Sequence, residues 1–243
     1  MISDAIGTGL KGIINWIVRA LARSRINPNA LTFIGLLINI GCGVLYAYGH
    51  FFAAGLLLAV AALTDMLDGK VARLRGRVTR FGAFFDSVLD RYSDIIVYVG
   101  IMFFYARDTL QHSTLLVALT GLALVGSVLV SYSRARAESL NIACKVGFLE
   151  RPERLVLLII GSLTQIGPPS NPFLYKMPHI LWVLTVLSHW TVIHRIYHTW
   201  RELRENDRAA VEAARVKRET AQGSEKQPIS DLGSGYPLAG RAE

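Results

Sequence analysis

Cysteine and charge are what this 243-residue sequence has least of, and each shortage closes off a class of protein. The two cysteines, Cys42 and Cys144, stand far apart, with no second pair and no histidine at ligand spacing. That excludes a disulfide framework and a zinc site, and leaves both as packing residues. Charged residues make up only 18% of the chain against 52% hydrophobic, and the mean hydropathy is +0.37, too apolar for an ordinary soluble domain. A secretory leader is missing as well: no short apolar core with a small-residue cleavage site precedes the first long apolar stretch, which begins after Pro28. The first span is therefore expected to stay in the mature protein. The formal net charge of +8 does not call for nucleic acid, because the basic residues cluster beside apolar runs, where they meet anionic lipid headgroups.

What is present is a series of apolar runs near 30–49, 51–70, 81–106, 113–133, 154–167 and 175–196. A helix needs about 20 residues to cross a hydrocarbon core of about 30 Å. The expected fold is all-α: a polytopic membrane protein of six transmembrane helices. The fifth run is short, but removing it would place the C-terminal arginines on the side opposite the other basic segments. Lys11, Arg19, Arg23 and Arg25, then Lys70 to Arg80, Arg134 to Arg154, and Arg195 onward fall on one side of a six-span path. The positive-inside rule then puts both termini, and the site described below, on the cytoplasmic side of the cell (inner) membrane. Residues 1–25 carry Leu10, Ile13, Ile14, Ile17 and Leu21 at helical spacing among cations, as a juxtamembrane interfacial helix does; a helix packed on the protein itself gives the same pattern. Residues 26–200 form the expected catalytic domain. Residues 201–243 form a charged cytoplasmic tail, a solvated helix running into disorder from Gly223.

The chemistry is concentrated in one stretch. Asp65 and Asp68 are three residues apart, Asp86 and Asp90 four apart, so each pair shares one helix face. Two facing helices would gather four carboxylates. At membrane depth each costs about 2.5–3.5 kcal/mol on insertion scales, and like charges add to the cost. Hard cations would offset it, and an oxygen-only cluster suits two Mg²⁺ ions, or Mn²⁺, bridging to substrate phosphates. Gly69, Ala72 and Gly82 leave room along this seam, and Arg73 suits a phosphate. Salt bridges to Arg73, Arg80 or Arg91 are the competing explanation of the carboxylates. For Asp94, the next residue in the series, structural pairing is the expected role.

These residues match, position for position, D-x-x-D-G-x-x-A-R, eight residues, then G-x-x-x-D-x-x-x-D. That pattern resembles the signature of the CDP-alcohol phosphotransferase family, and the resemblance covers about residues 26–200. It implies six transmembrane helices, a juxtamembrane helix, a homodimer, and transfer of a phosphatidyl group from CDP-diacylglycerol to an alcohol with release of CMP. By the same resemblance Asp65 and Asp86 bridge two metals, Asp68 ligates one and Asp90 the other, and Asp90 is also the general base. Gly69, Arg73 and Thr79 match positions that hold the CDP portion, and Asn29, Ala30, Leu31 and Thr32 match a segment that contacts the nucleotide.

The second half bears on the acceptor. Ser131, Arg134, Arg136, Arg154 and Arg195 are more cations than a neutral alcohol needs, and arginine forks suit a phosphate. The stretch resembles the bacterial phosphatidylinositol-phosphate synthases, which implies a phosphorylated polyol, inositol phosphate, as acceptor; Arg134 departs from the lysine usual there. Positive-inside anchoring and helix pairs such as Glu150 with Arg154 explain the same arginines otherwise. Arg134 and Arg136 differ by about 200° around a helix, so both are not expected to face one pocket. A glycerol 3-phosphate acceptor, a cation transporter using the carboxylates as an ion path, and a membrane scaffold are the rival readings.

Overall fold

A computed structural model describes residues 28–74, 79–108, 110–165 and 176–225, with side chains described except at 28, 29, 31, 67–74, 216 and 219–225. Among these residues there are six helices and no strand: α1 (Pro28–Ala47), α2 (Phe51–Leu74), α3 (Arg80–Ala106), α4 (Thr114–Ser139), α5 (Arg151–Leu163) and α6 (Met177–Glu225). The expected interfacial helix of residues 1–25 and the tail beyond residue 225 lie outside them. One helix, α4, is long and apolar enough by itself to cross a membrane; Thr32–Ala47 and Phe51–Met66 are shorter apolar stretches. The fifth helix has 13 residues, about 20 Å of length.

Local chemistry sets the helix ends. Thr79 precedes α3 in extended backbone and its hydroxyl accepts from Gly82 N at 2.9 Å; Ser113 does the same for α4 through Leu116 N at 3.3 Å. Glu150 stands at the start of α5, with Pro152 in the first turn, where no backbone donor is needed. Between α1 and α2 the chain reverses at Gly49, whose φ of +84° favours glycine, and Arg107 Nη1 donates to the terminal Ala47 carbonyl at 3.2 Å.

The chain forms two compact units, Met1–Ile196 and Tyr197–Glu243. In the first, α1 packs on α2 and α3, α3 on α4, and α2 on α5. Backbones approach closely where α1 crosses α3: a β-carbon at Gly100 would overlap the Gly43 carbonyl oxygen. The core fills one end of this unit with Tyr46, Phe51, Phe104 and Tyr105, the Phe51 and Phe104 rings edge to face at 4.8 Å. There Tyr46 Oη meets Ser162 Oγ at 2.6 Å, linking α1 to α5. Cys42 and Cys144 are buried and unbridged. Because these residues come from the end of α1, the start of α2 and the end of α3, the opposite end collects the start of α1, the end of α2 and the start of α3. Asp65, Asp86 and Asp90 lie there. In the second unit the helical residues are mostly exposed, with Arg201 Nε 2.9 Å from Glu205 Oε1 and Arg204 over the Trp200 ring.

Candidate active site

One oxygen from each of Asp65, Asp86 and Asp90 lies within 4.8 Å of the others. The helical spacing explains the approach: Asp86 and Asp90 occupy one face of α3, and α2 delivers Asp65 opposite them. Asp86 Oδ1 is buried and has no hydrogen-bond donor among the described residues, which leaves a desolvated carboxylate oxygen on a member of the cluster. An all-oxygen donor set with an unsatisfied buried member fits a hard divalent cation. Asp68, Gly69 and Arg73 lie on the last turns of α2, and their side chains are outside the described ones.

The cations that face this cluster come from α5. Arg151 Nη1 lies 2.5 Å from Asp65 Oδ2 and 2.8 Å from Asp90 Oδ1, and its Nε is 3.5 Å from Asp94 Oδ1. Arg91 is more distant, 3.8 Å from Asp90 Oδ2. Among the described side chains Arg151 is thus the chief ion-pair partner of the carboxylates; of the Arg73, Arg80 and Arg91 that the sequence offered, Arg91 takes a secondary place and the Arg73 side chain lies outside the described ones. Asp94, one turn beyond Asp90, is occupied by ion pairs: its Oδ2 accepts from Arg154 Nη2 and from Ser127 Oγ, each at 3.3 Å.

Beside the cluster opens a basin of about 390 Å³, lined among others by Asp90, Ser131, Arg134, Glu150, Arg151, Arg154 and Arg195. The geometry brings together four of the five expected acceptor residues: Ser131, Arg134, Arg154 and Arg195 line the basin. Arg136 does not; its Nη1 bonds Ser139 Oγ at 3.3 Å on the exposed side of α4, as the angular separation from Arg134 requires. The arginines in the basin differ in freedom. Arg195 is 2% exposed and bonded through each of its three nitrogens, donating from Nε to the Val146 carbonyl at 2.8 Å, from Nη1 to Val130 O at 2.5 Å, and from Nη2 to Glu150 Oε1 at 3.4 Å. Gly147, at φ +117°, shapes the loop that presents that carbonyl. Arg134 is the accessible one, 40% exposed and held by Glu138 at 3.0 Å and Glu150 at 3.4 Å. Glu150 therefore pairs with Arg134 and Arg195, while Arg154, which the competing explanation paired with Glu150, turns to Asp94. A tertiary carboxylate outcompetes the i,i+4 pair because Arg154, 2% exposed, needs a desolvated partner.

The expected nucleotide-contacting residues are placed more loosely. Thr32 lines a narrow cavity, of about 20 Å³, together with Asp65, Asp90 and Arg151. Ala30 is exposed at the start of α1, and the side chains of Asn29 and Leu31 are outside the described ones. Thr79 serves as the cap of α3. Sequence reasoning passed over Arg151 and Glu150 as site residues. The signal was present in the run Glu150, Arg151, Pro152, Glu153, Arg154, whose proline fixes a helix start and so projects Arg151 from a first turn.

Carboxylates from two helices facing a basin of arginines suit metal-assisted chemistry on a phosphate-bearing substrate. Residues 25–196 match the profile of CDP-alcohol phosphatidyltransferase, and the chain belongs to that family. The chain is 36% identical over 215 residues to the phosphatidylinositol phosphate synthase of Mycobacterium marinum, covering 87% of this chain and 89% of the relative. It is 42% identical over 175 residues to the archaetidylinositol phosphate synthase of Methanothermobacter thermautotrophicus, covering 72% of this chain and 83% of that one. Among solved structures it resembles Mycobacterium tuberculosis phosphatidylinositol phosphate synthase with CDP-DAG bound, at a TM-score of 0.69 and 34% identity, covering 77% of this chain and 94% of that one. The same enzyme in complex with manganese and citrate gives a TM-score of 0.68 at 34% identity, covering 77% and 88%.

Proposed function

We propose that this chain transfers the phosphatidyl group of CDP-diacylglycerol to inositol phosphate, giving phosphatidylinositol phosphate and CMP. The observation that carries the reading is the shared wall between the two halves of the site: Asp90 and Arg151 line both the carboxylate cavity and the arginine basin. An acceptor hydroxyl presented from the basin meets Asp90 at the edge of the cluster. Its oxygen attacks the β-phosphorus of the CDP-lipid, a new phosphate ester bond forms as the bond to CMP breaks, and the hydroxyl proton passes to the Asp90 carboxylate. Asp65, Asp86 and Asp90, with Asp68 by motif, would hold Mg²⁺ or Mn²⁺, which when bound neutralises charge on the pyrophosphate and acidifies the hydroxyl. Arg134, with Arg154 and Ser131 behind it, receives the acceptor phosphate, and Arg195 fixes the basin floor by tying α6 to the Val130 and Val146 carbonyls.

The membrane arrangement follows the same reading. The six helices make up the membrane domain, α4 spanning by its own length and apolarity, α5 as a short span of 13 residues, and the others with apolar residues such as Leu37, Leu56, Val99 and Val186 exposed as lipid contact would require. Residues 26–200 are the catalytic domain, residues 1–25 an interfacial helix, residues 201–243 a cytoplasmic tail, and the assembly a homodimer with both termini and the site facing the cytoplasm of a multi-pass inner-membrane protein. The test is CMP release by purified enzyme given CDP-diacylglycerol with inositol phosphate, free inositol or glycerol 3-phosphate, with Mg²⁺ or Mn²⁺ and with chelator. Turnover restricted to inositol phosphate and abolished by chelator is the expected result. Preference for glycerol 3-phosphate would refute the acceptor; metal-independent release would refute the role of the carboxylates.

A further inference from the structure

Among the described residues Arg151 is the one cation that lines both the carboxylate cavity and the basin, and catalysis as described gives it nothing to do. Its backbone is fixed at the first turn of α5, after Glu150 and before Pro152, so only its side chain can move. That side chain is 21% exposed, whereas Arg154 and Arg195 are 2% exposed, and both of those donate to backbone carbonyls that hold them in place. Its contacts are to carboxylates: Asp65 Oδ2 at 2.5 Å, Asp90 Oδ1 at 2.8 Å and Asp94 Oδ1 at 3.5 Å. The first two belong to the very set of residues whose oxygens converge for a cation. A guanidinium nitrogen donating to these oxygens and a cation bound to them compete for the same lone pairs.

We propose that Arg151 is a resident competitor for the metal. It neutralises and gathers the Asp65 and Asp90 carboxylates, it must leave them when a divalent cation binds, and it then turns into the basin lined by Ser131 and Arg134. The neighbouring carboxylates require a counter-charge in either state, since mutually repelling desolvated carboxylates are costly. The basin is the other cavity that Arg151 lines, with Glu150 in its wall, and an acceptor phosphate bound there would be a further partner. A phosphate in the basin gives the displaced guanidinium a second partner, so metal and phosphorylated acceptor bind with positive coupling, and by linkage each tightens the other equally. This second half rests on the acceptor reading above; the competition itself does not.

The experiment is Mn²⁺ binding to the purified full chain in detergent, read from the paramagnetic resonance signal of free Mn²⁺, with no turnover involved. Removing the competitor in Arg151→Gln should tighten Mn²⁺ binding by about ten- to a hundredfold, the equivalent of losing charge-assisted hydrogen bonds to the ligands. The gain should persist in 1 M KCl, where screening acts beyond about 3 Å and general repulsion between cations collapses. Arg134→Gln, which removes a charge from the same basin without touching Asp65 or Asp90, should change affinity far less. Arg151→Lys keeps a charge for folding but cannot reach all three carboxylates together, and should fall between wild type and the glutamine variant. In wild type, myo-inositol 1-phosphate should tighten Mn²⁺ binding where free inositol does not, and the increment should shrink in Arg151→Gln. The competition is overturned if both Arg151 variants bind Mn²⁺ no more tightly than wild type, or if Arg134→Gln matches Arg151→Gln. If the acceptor reading alone fails, inositol phosphate gives neither CMP release nor coupling, yet the acceptor-free gain in Arg151→Gln remains.

Discussion

Replacing Asp94 by asparagine keeps the shape of the side chain and removes its charge, so it isolates what that charge does for the bundle. Asp94 is 10% exposed and accepts from Arg154 Nη2, from Ser127 Oγ and, at longer range, from Arg151 Nε. Arg154, 2% exposed, has this one carboxylate within ion-pair distance, and its other contact is the Leu149 carbonyl at 3.4 Å. Removing one member of a buried pair costs about 3–5 kcal/mol, because the other charge stays desolvated without compensation. The 3.3 Å separation places the loss at the lower end of that range. For a domain of this size about 3 kcal/mol corresponds to a fall in Tm of roughly 6–12 °C. The assay is thermal unfolding of the detergent-solubilised protein. The internal check is the double variant Asp94→Asn with Arg154→Met, in which no buried charge is left unpaired. It should recover a substantial part of the loss, since exchanging a whole buried pair for neutral groups is often close to neutral. A single variant within about 2 °C of wild type, less than 1 kcal/mol, would refute the assignment of Asp94 as the counter-charge of Arg154. A double variant worse than the single one would show that Arg154 is held by packing instead.

Asp90→Asn should abolish CMP release while CDP-lipid binding, measured by direct titration, is largely kept, because Asp65 and Asp86 still face the pyrophosphate. Arg134→Ala should raise the acceptor KM by about one decade, the low end for a charge-assisted hydrogen bond at an accessible position, with Tm little changed. Arg195→Ala should lower Tm as well as acceptor affinity, because the Val130 and Val146 carbonyls lose their donor; an unchanged Tm would refute its tie. Gly100→Ala should destabilise the chain strongly, its methyl overlapping the Gly43 carbonyl oxygen. Gly121→Ala, with Met102 Cε 3.7 Å away, should be neutral or gain up to about 1 kcal/mol of helix propensity, and equal melting of the two variants would refute the α1–α3 crossing.

Periodicity and the aspartate spacing made much of this legible in the sequence, because both are local. Residues three and four apart on a helix share a face whatever the rest of the chain does, so Asp86 and Asp90 could be paired from their numbers alone. The alternation of helix direction then placed Asp65, the end of α4 and the start of α5 at one end. Which arginine meets which carboxylate was not legible, because it depends on helix rotation and on which partner is desolvated. Arg154 is four residues from Glu150, the spacing of a surface pair, yet it turns inward to Asp94; Glu150 is taken by Arg134 and Arg195, from two other helices. Burial decides the matter, since a guanidinium taken out of water gains far more from a carboxylate that is out of water too.

Arg195 shows the same limit from the other side. As a lone basic residue after an apolar run, it reads equally well as a membrane anchor or as a phosphate ligand. Its guanidinium does neither alone: two of its nitrogens are bonded to carbonyls of the α4 end and the loop before α5, and the third meets Glu150. A fixed cation of this kind holds the walls of the basin at a set separation. Arg134 has the opposite character, more exposed and paired to two carboxylates that an incoming phosphate can replace. On the proposed reading the basin combines a buried arginine that sets its width with a more exposed one that would meet the ligand, a division that pre-organises the site at small entropic cost.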